Sequence, residues 1–68
     1  MIENEDLIQR ALNTYTERAM WYKEKAEHSI GAYQDRFIVF CAAYTSAAEI
    51  LRAALTGDEE TLREYEGA

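Results

Sequence analysis

Residues 37–48 (FIVFCAAYTSAA) form an uncharged run in a chain of 68 residues, of which 29% are charged. The run continues into EILRAAL, whose composition favours a helix. Apolar groups extend nearly all the way round such a helix, and a helix of this kind needs cover on more than one face. The run therefore predicts that the chain associates with further copies of itself.

The length of the chain supports the same expectation. A chain of 68 residues and 7.8 kDa forms at most one domain, 1–68, and a domain of this size gains little net stability from its own core. Cys41 is the only cysteine, so an internal disulfide is impossible, and one histidine with one cysteine cannot complete a structural zinc site. Oligomerisation is the remaining way to stabilise a small domain.

The composition predicts an all-α fold, because proline is absent, glycine occurs three times and helix-forming residues are plentiful. A net charge of −6 and a pI of about 4.6 argue against direct nucleic-acid binding through a basic surface. The N-terminal sequence MIENEDLIQ has acids where a signal peptide has basic residues, and the run 37–48 is shorter than the roughly 20 apolar residues that span a bilayer. We therefore expect a cytoplasmic protein without membrane contact.

Helix 1 is predicted over about residues 5–28. Asn4 is a good N-cap residue, and Glu5 and Asp6 then lie in the first turn, where the helix dipole favours anions. Apolar residues follow at alternating steps of four and three, which places them on one side of a helix. This stripe consists of Ile8, Leu12, Tyr15, Ala19, Tyr22 and Ala26.

The stripe slips at residues 28–31, which predicts a turn between two helices. Gly31 tolerates a left-handed backbone there, and Ser29 is a candidate cap for the next helix. Helix 2 is predicted over about residues 30–56, ending at Gly57, a residue type common just beyond a helix C-terminus. One long unbroken helix is the alternative.

Placing residues about 100° apart divides helix 2 into two apolar seams. The aromatic seam, suited to packing on helix 1 of the same chain, consists of Tyr33, Phe37, Phe40, Cys41, Tyr44, Ala48, Leu51 and Leu55. The small-residue seam beside it, suited to close approach by another chain, consists of Ala32, Val39, Ala43, Ala47, Ile50 and Ala54. We predict that self-association uses five of these residues: Val39, Ala43, Ala47, Ile50 and Ala54.

A short helix 3 is predicted to follow the glycine, over about residues 59–65. Thr56 and Glu59 have the spacing of a capping box, and Asp58 is an alternative N-cap. Leu62 and Tyr65 would share one side and dock on the hairpin. The expected architecture is all-α: an antiparallel helical hairpin plus a short C-terminal helix, associating into a dimeric four-helix-type bundle.

No residue pattern predicts catalysis, a cofactor or a metal site. Glu24 and His28 share a helix face, but that face is opposite the helix 1 stripe, so an outward surface pair is expected. Cys41 lies in the aromatic seam, where a thiol is usually an inert small hydrophobe. Tyrosines on the core stripes could pack as core or line a ligand pocket, and packing is favoured. These are Tyr15, Tyr22, Tyr33 and Tyr44.

Two surface features are candidates for partner contact. Trp21 lies off the helix 1 stripe, on a flank shared with Arg18 and Lys25, and a tryptophan bordered by cations is a candidate binding hot spot. The alternative interpretation is that helix 3 or a second chain covers Trp21. The second feature is an acidic pole, since an antiparallel hairpin collects both acidic chain ends: Glu3, Glu5, Asp6, Asp58, Glu59 and Glu60.

These features predict a non-enzymatic, self-associating protein–protein interaction module, a homodimer or a larger homo-oligomer, that also presents Trp21 to an unidentified protein partner. An alternative function is a small inhibitor, of the type that mobile elements encode, whose acidic pole binds the basic cleft of a nucleic-acid-handling enzyme. A ligand-binding helical bundle is the other alternative.

Overall fold

The computed structural model describes residues 2–67, with side chains from residue 4 onward. These residues form three helices, α1 (Ile2–Glu27), α2 (Ala32–Thr56) and α3 (Glu59–Gly67), and contain no strand. The predicted all-α class and the helical hairpin are confirmed. The helix α1 begins earlier than expected, so Asn4 lies within the helix and is not its N-cap.

The turn between α1 and α2 is closed by hydrogen bonds from side chains. The Ser29 hydroxyl donates to the Lys25 carbonyl at 2.7 Å, so Ser29 terminates α1. The prediction that Ser29 caps α2 is therefore wrong. The Gln34 side-chain amide donates to the Ala26 carbonyl at 3.0 Å and ties the start of α2 to the end of α1. Gly31 has a φ of 66°, which glycine adopts without strain. The unbroken-helix alternative is therefore wrong.

The junction between α2 and α3 contains one of the two predicted caps. Gly57 is left-handed, with φ 72° and ψ 27°, and ends α2 as expected. The Asp58 carboxylate accepts hydrogen bonds from the Thr61 backbone N–H at 3.1 Å and from the Thr61 hydroxyl at 2.7 Å, so Asp58 is the N-cap of α3. The alternative capping box does not form, because the Thr56 hydroxyl donates back to the Arg52 carbonyl at 2.9 Å.

The helices α1 and α2 pack antiparallel along an aromatic contact. Tyr15 meets Tyr44 with ring centroids 5.8 Å apart, and Tyr22, later in α1, meets Phe37, earlier in α2, at 6.0 Å. The stripe of α1 from Leu12 to Ala26 faces α2 as predicted, whereas Ile8, its first predicted member, is 36% exposed. The small core is formed by four residues that are 4–7% exposed: Leu12, Ala26, Ala48 and Ala53.

Two members of the predicted aromatic seam lie outside this core. Tyr33 is 69% exposed because it occupies the first turn of α2, beside the end of α1, where little of α1 remains to cover it. Phe40 is 44% exposed because it lies at the edge of the seam, about 60° round the helix from Phe37. The remaining seam residues are buried or half-buried.

Candidate interaction surface

The hairpin is one helix thick. The chain measures 44 × 28 × 11 Å along its principal axes, and among the described residues α1 and α3 both contact α2 but not each other. Domains normally pack two layers of secondary structure around a core. Here α1, α2 and α3 lie in a single layer, so each helix leaves a broad part of its surface uncovered.

The exposed area of the single chain is correspondingly large. It is 5,496 Å², whereas the scaling for folded monomers gives about 4,400 Å² for a chain of 7.8 kDa. The excess of about 1,100 Å² exceeds the roughly 800 Å² that each partner buries in a standard protein–protein interface. The single chain therefore exposes enough additional surface to form one such interface.

An aromatic cluster joins the two helices on one side of the layer. The Tyr22 ring contacts Phe40 at 5.2 Å and Tyr44 at 5.6 Å between centroids. Trp21 packs edge-on against the same tyrosine at 4.9 Å. Trp21 of α1 and Phe40 of α2 are therefore neighbours of one ring, and this cluster continues from one helix onto the other.

The small-residue seam of α2 extends this cluster along the same side. Its residues fall, with Phe40, within an arc of about 100° round the helix. Val39 is 63% exposed and Ile50 is 37% exposed, although both are large and apolar. We call this side the open face and define it by Trp21, Val39, Phe40, Ala43, Ala47, Ile50 and Ala54. All are exposed except Ala47, which is half-buried.

The opposite side of the layer also exposes apolar groups, and Ile38 is 52% exposed there. A depression of about 400 Å³ there is lined by Lys23, Ala26, Glu27, Gln34, Ile38, Cys41 and Ala42. Cys41 is half-buried in it, in keeping with a packed thiol. Lys23, Glu27 and Gln34 border the depression, but its surface is mainly apolar, whereas the open face on α2 from Val39 to Ala54 includes no charged side chain.

Trp21 is not covered within its own chain. Among the described residues α3 contacts α2 and makes no contact with α1, so the prediction that α3 could cover Trp21 is wrong. The ring remains 45% exposed. The Lys25 ammonium lies 5.1 Å from the ring centroid, a cation–π contact, and Arg18 is exposed nearby on the same flank. The cationic border predicted for Trp21 is therefore present through Lys25.

Glu24 and His28 are both exposed and, with Trp21 and Lys25, line a shallow pocket of about 220 Å³. No group of three or more potential metal-ligating side chains occurs within the described part of the chain. A carboxylate and an imidazole alone do not form a closed metal site, for which four ligands are usual.

The acidic pole lies where α1 begins and α3 begins, at the same end of the antiparallel hairpin. Glu5, Asp6 and Glu60 are exposed there, while the side chain of Glu3 lies outside the described residues. Two of the acids have local partners. Asp58 caps α3, and the hydrogen bonds from Thr61 lower the pKa of its carboxyl group. Glu59 pairs with Arg63 at 3.3 Å. Target binding through this pole stays a prediction.

Helix α3 docks on α2 through the predicted side chains Leu62 and Tyr65, both half-buried. The Tyr65 hydroxyl donates a hydrogen bond to the Glu49 carboxylate, which raises the pKa of Tyr65 above its ordinary value of 10.0. This contact covers Ala53, which is 4% exposed. The far side of α2 at its C-terminal end is thus covered by α3, and the open face is not.

Tyr65→Phe is expected to loosen α3 without disturbing the hairpin, because the substitution removes only the hydroxyl bonded to Glu49. Backbone amides of α3 should exchange severalfold faster with deuterium, while those of α1 and α2 keep their rates. Since the pKa of Tyr65 is raised, the contribution of its hydroxyl is complete below about pH 10 and is lost as the pH rises through the raised pKa.

The control for this variant is Tyr33→Phe, in which the hydroxyl removed belongs to an exposed ring in the first turn of α2. Its exchange pattern should match that of the unmodified protein. Equal exchange of α3 in the Tyr65→Phe variant and in the unmodified protein would show that the hydroxyl contact does not hold α3.

Helix α2 also meets the length and composition requirements of a membrane-spanning helix. It has 25 residues and includes an 18-residue window with a mean hydropathy of 1.5 and at most two charged residues. The uncharged run alone is too short to span a bilayer, but the helix around it is not. Only 11% of that window is buried in the single chain. The central helix of a protein bundle can have the same length and composition.

The open face includes one residue that sequence reasoning assigned elsewhere. Phe40 was expected to face α1, because its position round the helix is close to that of Tyr44. The available signal was its position about 20° round the helix from Ala47 and about 40° from Tyr44, which places it on the border of the two seams.

Comparison with protein-family models, with curated protein sequences and with solved structures finds no match for this chain.

Proposed function

We propose that the chain is a non-enzymatic protein–protein interaction module that self-associates through the open face, with two hairpins forming a four-helix-type bundle. The observation that carries this proposal is the single layer of helices, which leaves the apolar residues of the open face at the surface. A second hairpin on that side would supply the second layer that a stable core requires.

A second copy fits the open face better than a polar partner does. The part of the face on α2 has three alanines, Ala43, Ala47 and Ala54, between the larger Val39 and Ile50, and none of these side chains offers a hydrogen bond. A flat apolar surface of this kind packs well against an identical one, as in symmetric homodimers. The amount of excess area also fits one dimer interface.

The open face favours a closed dimer over a larger assembly. The opposite side of the layer has the depression, which is bordered by the charged side chains Lys23 and Glu27. The open face of each chain is covered once two copies have paired, because a two-fold interface uses the same surface on both subunits. In such a dimer the partner chain covers Trp21 at the edge of the open face.

Dilution followed by tryptophan fluorescence tests this proposal, since Trp21 is the only tryptophan. We expect emission at short wavelength while the dimer persists and a shift to longer wavelength as dilution separates the chains and exposes the ring. Emission typical of a water-exposed indole at every concentration, together with an unchanged hydrodynamic radius, would contradict association through this face.

A further inference from the structure

In the proposed function, α2 packs against α2 of a second copy, and the inference below rests on that proposal. This pairing has two symmetric arrangements. The two helices run parallel if the two-fold axis lies along them and antiparallel if it crosses them. The open face alone permits both, because its apolar positions repeat at steps of three and four along the whole helix. The charges at the two ends of the hairpin distinguish between the two arrangements.

The two ends of the hairpin have different charges. Residues 2–6 contain three acids and no basic residue, and residues 58–67 contain five acids and one arginine, so the end where α1 begins has a net charge of −7. Residues 18–36, around the turn at the other end, contain four basic and three acidic side chains, a net charge of +1 with His28 neutral.

A parallel dimer would place the two acidic ends side by side. Packed helices are about 8–10 Å apart, comparable with the Debye length of about 8 Å at physiological salt, so the repulsion would be only partly screened. In an antiparallel dimer the two acidic ends lie at opposite ends of a layer 44 Å long. At that separation the repulsion between them is almost completely screened by salt. Each acidic end then lies beside the turn of the other copy.

Side-chain size along the open face fits the antiparallel arrangement. An axis between Ala43 and Ala47 pairs these two small residues across the centre, where the helices approach most closely. The same axis places Val39 within one residue, about 1.5 Å along the helix, of Ile50 of the other copy. It also brings Arg36, which is exposed and has no ion-pair partner within the described residues, towards the acidic end of the second chain.

We propose that two copies pack antiparallel through α2, about a two-fold axis that passes between Ala43 and Ala47, with Val39 of each copy against Ile50 of the other. In this arrangement two Val39 residues are 11 positions out of register, about 16 Å along the helices. A disulfide requires Cα atoms within about 7 Å, so position 39 cannot cross-link to itself in this dimer. In a parallel dimer position 39 meets position 39.

Cysteine cross-linking distinguishes the two arrangements. Val39→Cys and Ile50→Cys are made as two separate proteins, both in a Cys41→Ala background, and one of the two carries a mass tag. The two proteins are unfolded together, refolded as a mixture and then oxidised. Mass spectrometry without reductant should show the mixed 39–50 disulfide at least tenfold above either disulfide between identical positions. Thr45→Cys, on an exposed position outside the open face, is the control and should give no preferred pairing with Ile50→Cys.

The outcomes separate this inference from the proposed function. Sedimentation of the same samples establishes whether they are dimers. If they are dimers and the 39–39 and 50–50 disulfides predominate, the antiparallel arrangement is wrong and self-association is retained. A dimer without any of these disulfides would place the contact outside α2 and overturn both the arrangement and the open face. A monomer in every sample, or flotation of the protein with phosphatidylcholine vesicles, would overturn self-association itself.

Discussion

Ala43→Glu is expected to convert the dimer into a monomer. Ala43 is at the middle of the open face and is exposed in the single chain, so the new carboxylate is hydrated in the monomer and unpaired in the dimer contact. An unpaired charge in an interface costs several kcal/mol, and a cost of about 4 kcal/mol weakens dimerisation about a thousandfold. Size-exclusion chromatography with light scattering measures the change in mass.

The matched control is Ala42→Glu. The two alanines are adjacent in α2 and both are exposed, but Ala42 lines the depression on the opposite side of the layer. The two substitutions alter helix propensity and net charge equally, so they differ only in the side of the layer that they change. Ala42→Glu should remain dimeric with unchanged circular dichroism. If the Ala43→Glu variant also remained dimeric, the open face would not be the contact.

Tyr22→Ala is expected to cause the largest loss of folding stability. The Tyr22 ring contacts Trp21, Phe37, Phe40 and Tyr44, with centroid separations of 4.9–6.0 Å, so its removal opens the aromatic cluster that joins the two helices. Truncation of a large aromatic core residue to alanine typically costs about 3–5 kcal/mol. Because Tyr22 is half-buried, we expect the free energy of unfolding to fall by about 3 kcal/mol. Urea unfolding at a fixed chain concentration measures this loss.

Tyr33→Ala makes the same chemical change at an exposed position. Its ring is 69% exposed in the first turn of α2, and surface substitutions usually change stability by less than about 0.5 kcal/mol. The difference between the two variants measures the aromatic cluster, since both lose one tyrosine. Equal destabilisation of the two would show that the cluster does not hold α1 and α2 together.

Periodicity in the sequence predicts which side of α1 faces α2, because a helix has a fixed rotation per residue. The positions from Leu12 to Ala26 follow this rotation without interruption, and the structure places them against α2. The same rule places Tyr33 and Phe40 towards α1, where the structure leaves them exposed. Rotation per residue does not specify where a neighbouring helix ends or how wide its contact is, and these two features decide the burial of both rings.

Local hydrogen bonding explains the differences at the helix ends. The sequence contains several residues able to cap each helix, and the structure uses only some of them. Asp58 caps α3, whereas the Ser29 and Thr56 hydroxyls donate to carbonyls of the preceding helix. Serine and threonine have both options at nearly equal free energy, so the choice depends on the geometry of the turn.

The arrangement of the interaction surface depends on tertiary structure. The small-residue seam was predicted from α2 alone, but its continuity with Trp21 of α1 requires the ring of Tyr22 that contacts both helices. The docking of α3 on the far side of α2 is equally a tertiary feature, since the Tyr65 hydroxyl meets Glu49 sixteen residues away in the chain. Only the folded layer shows which side remains uncovered.

Sedimentation equilibrium of the unmodified chain tests self-association most directly, because it measures mass in solution independently of shape. At micromolar concentration we predict a single species of about 15.6 kDa, twice the 7.8 kDa of one chain. A folded, helical species of 7.8 kDa throughout the micromolar range would contradict the account, because it would mean that the single layer is stable with its open face in water.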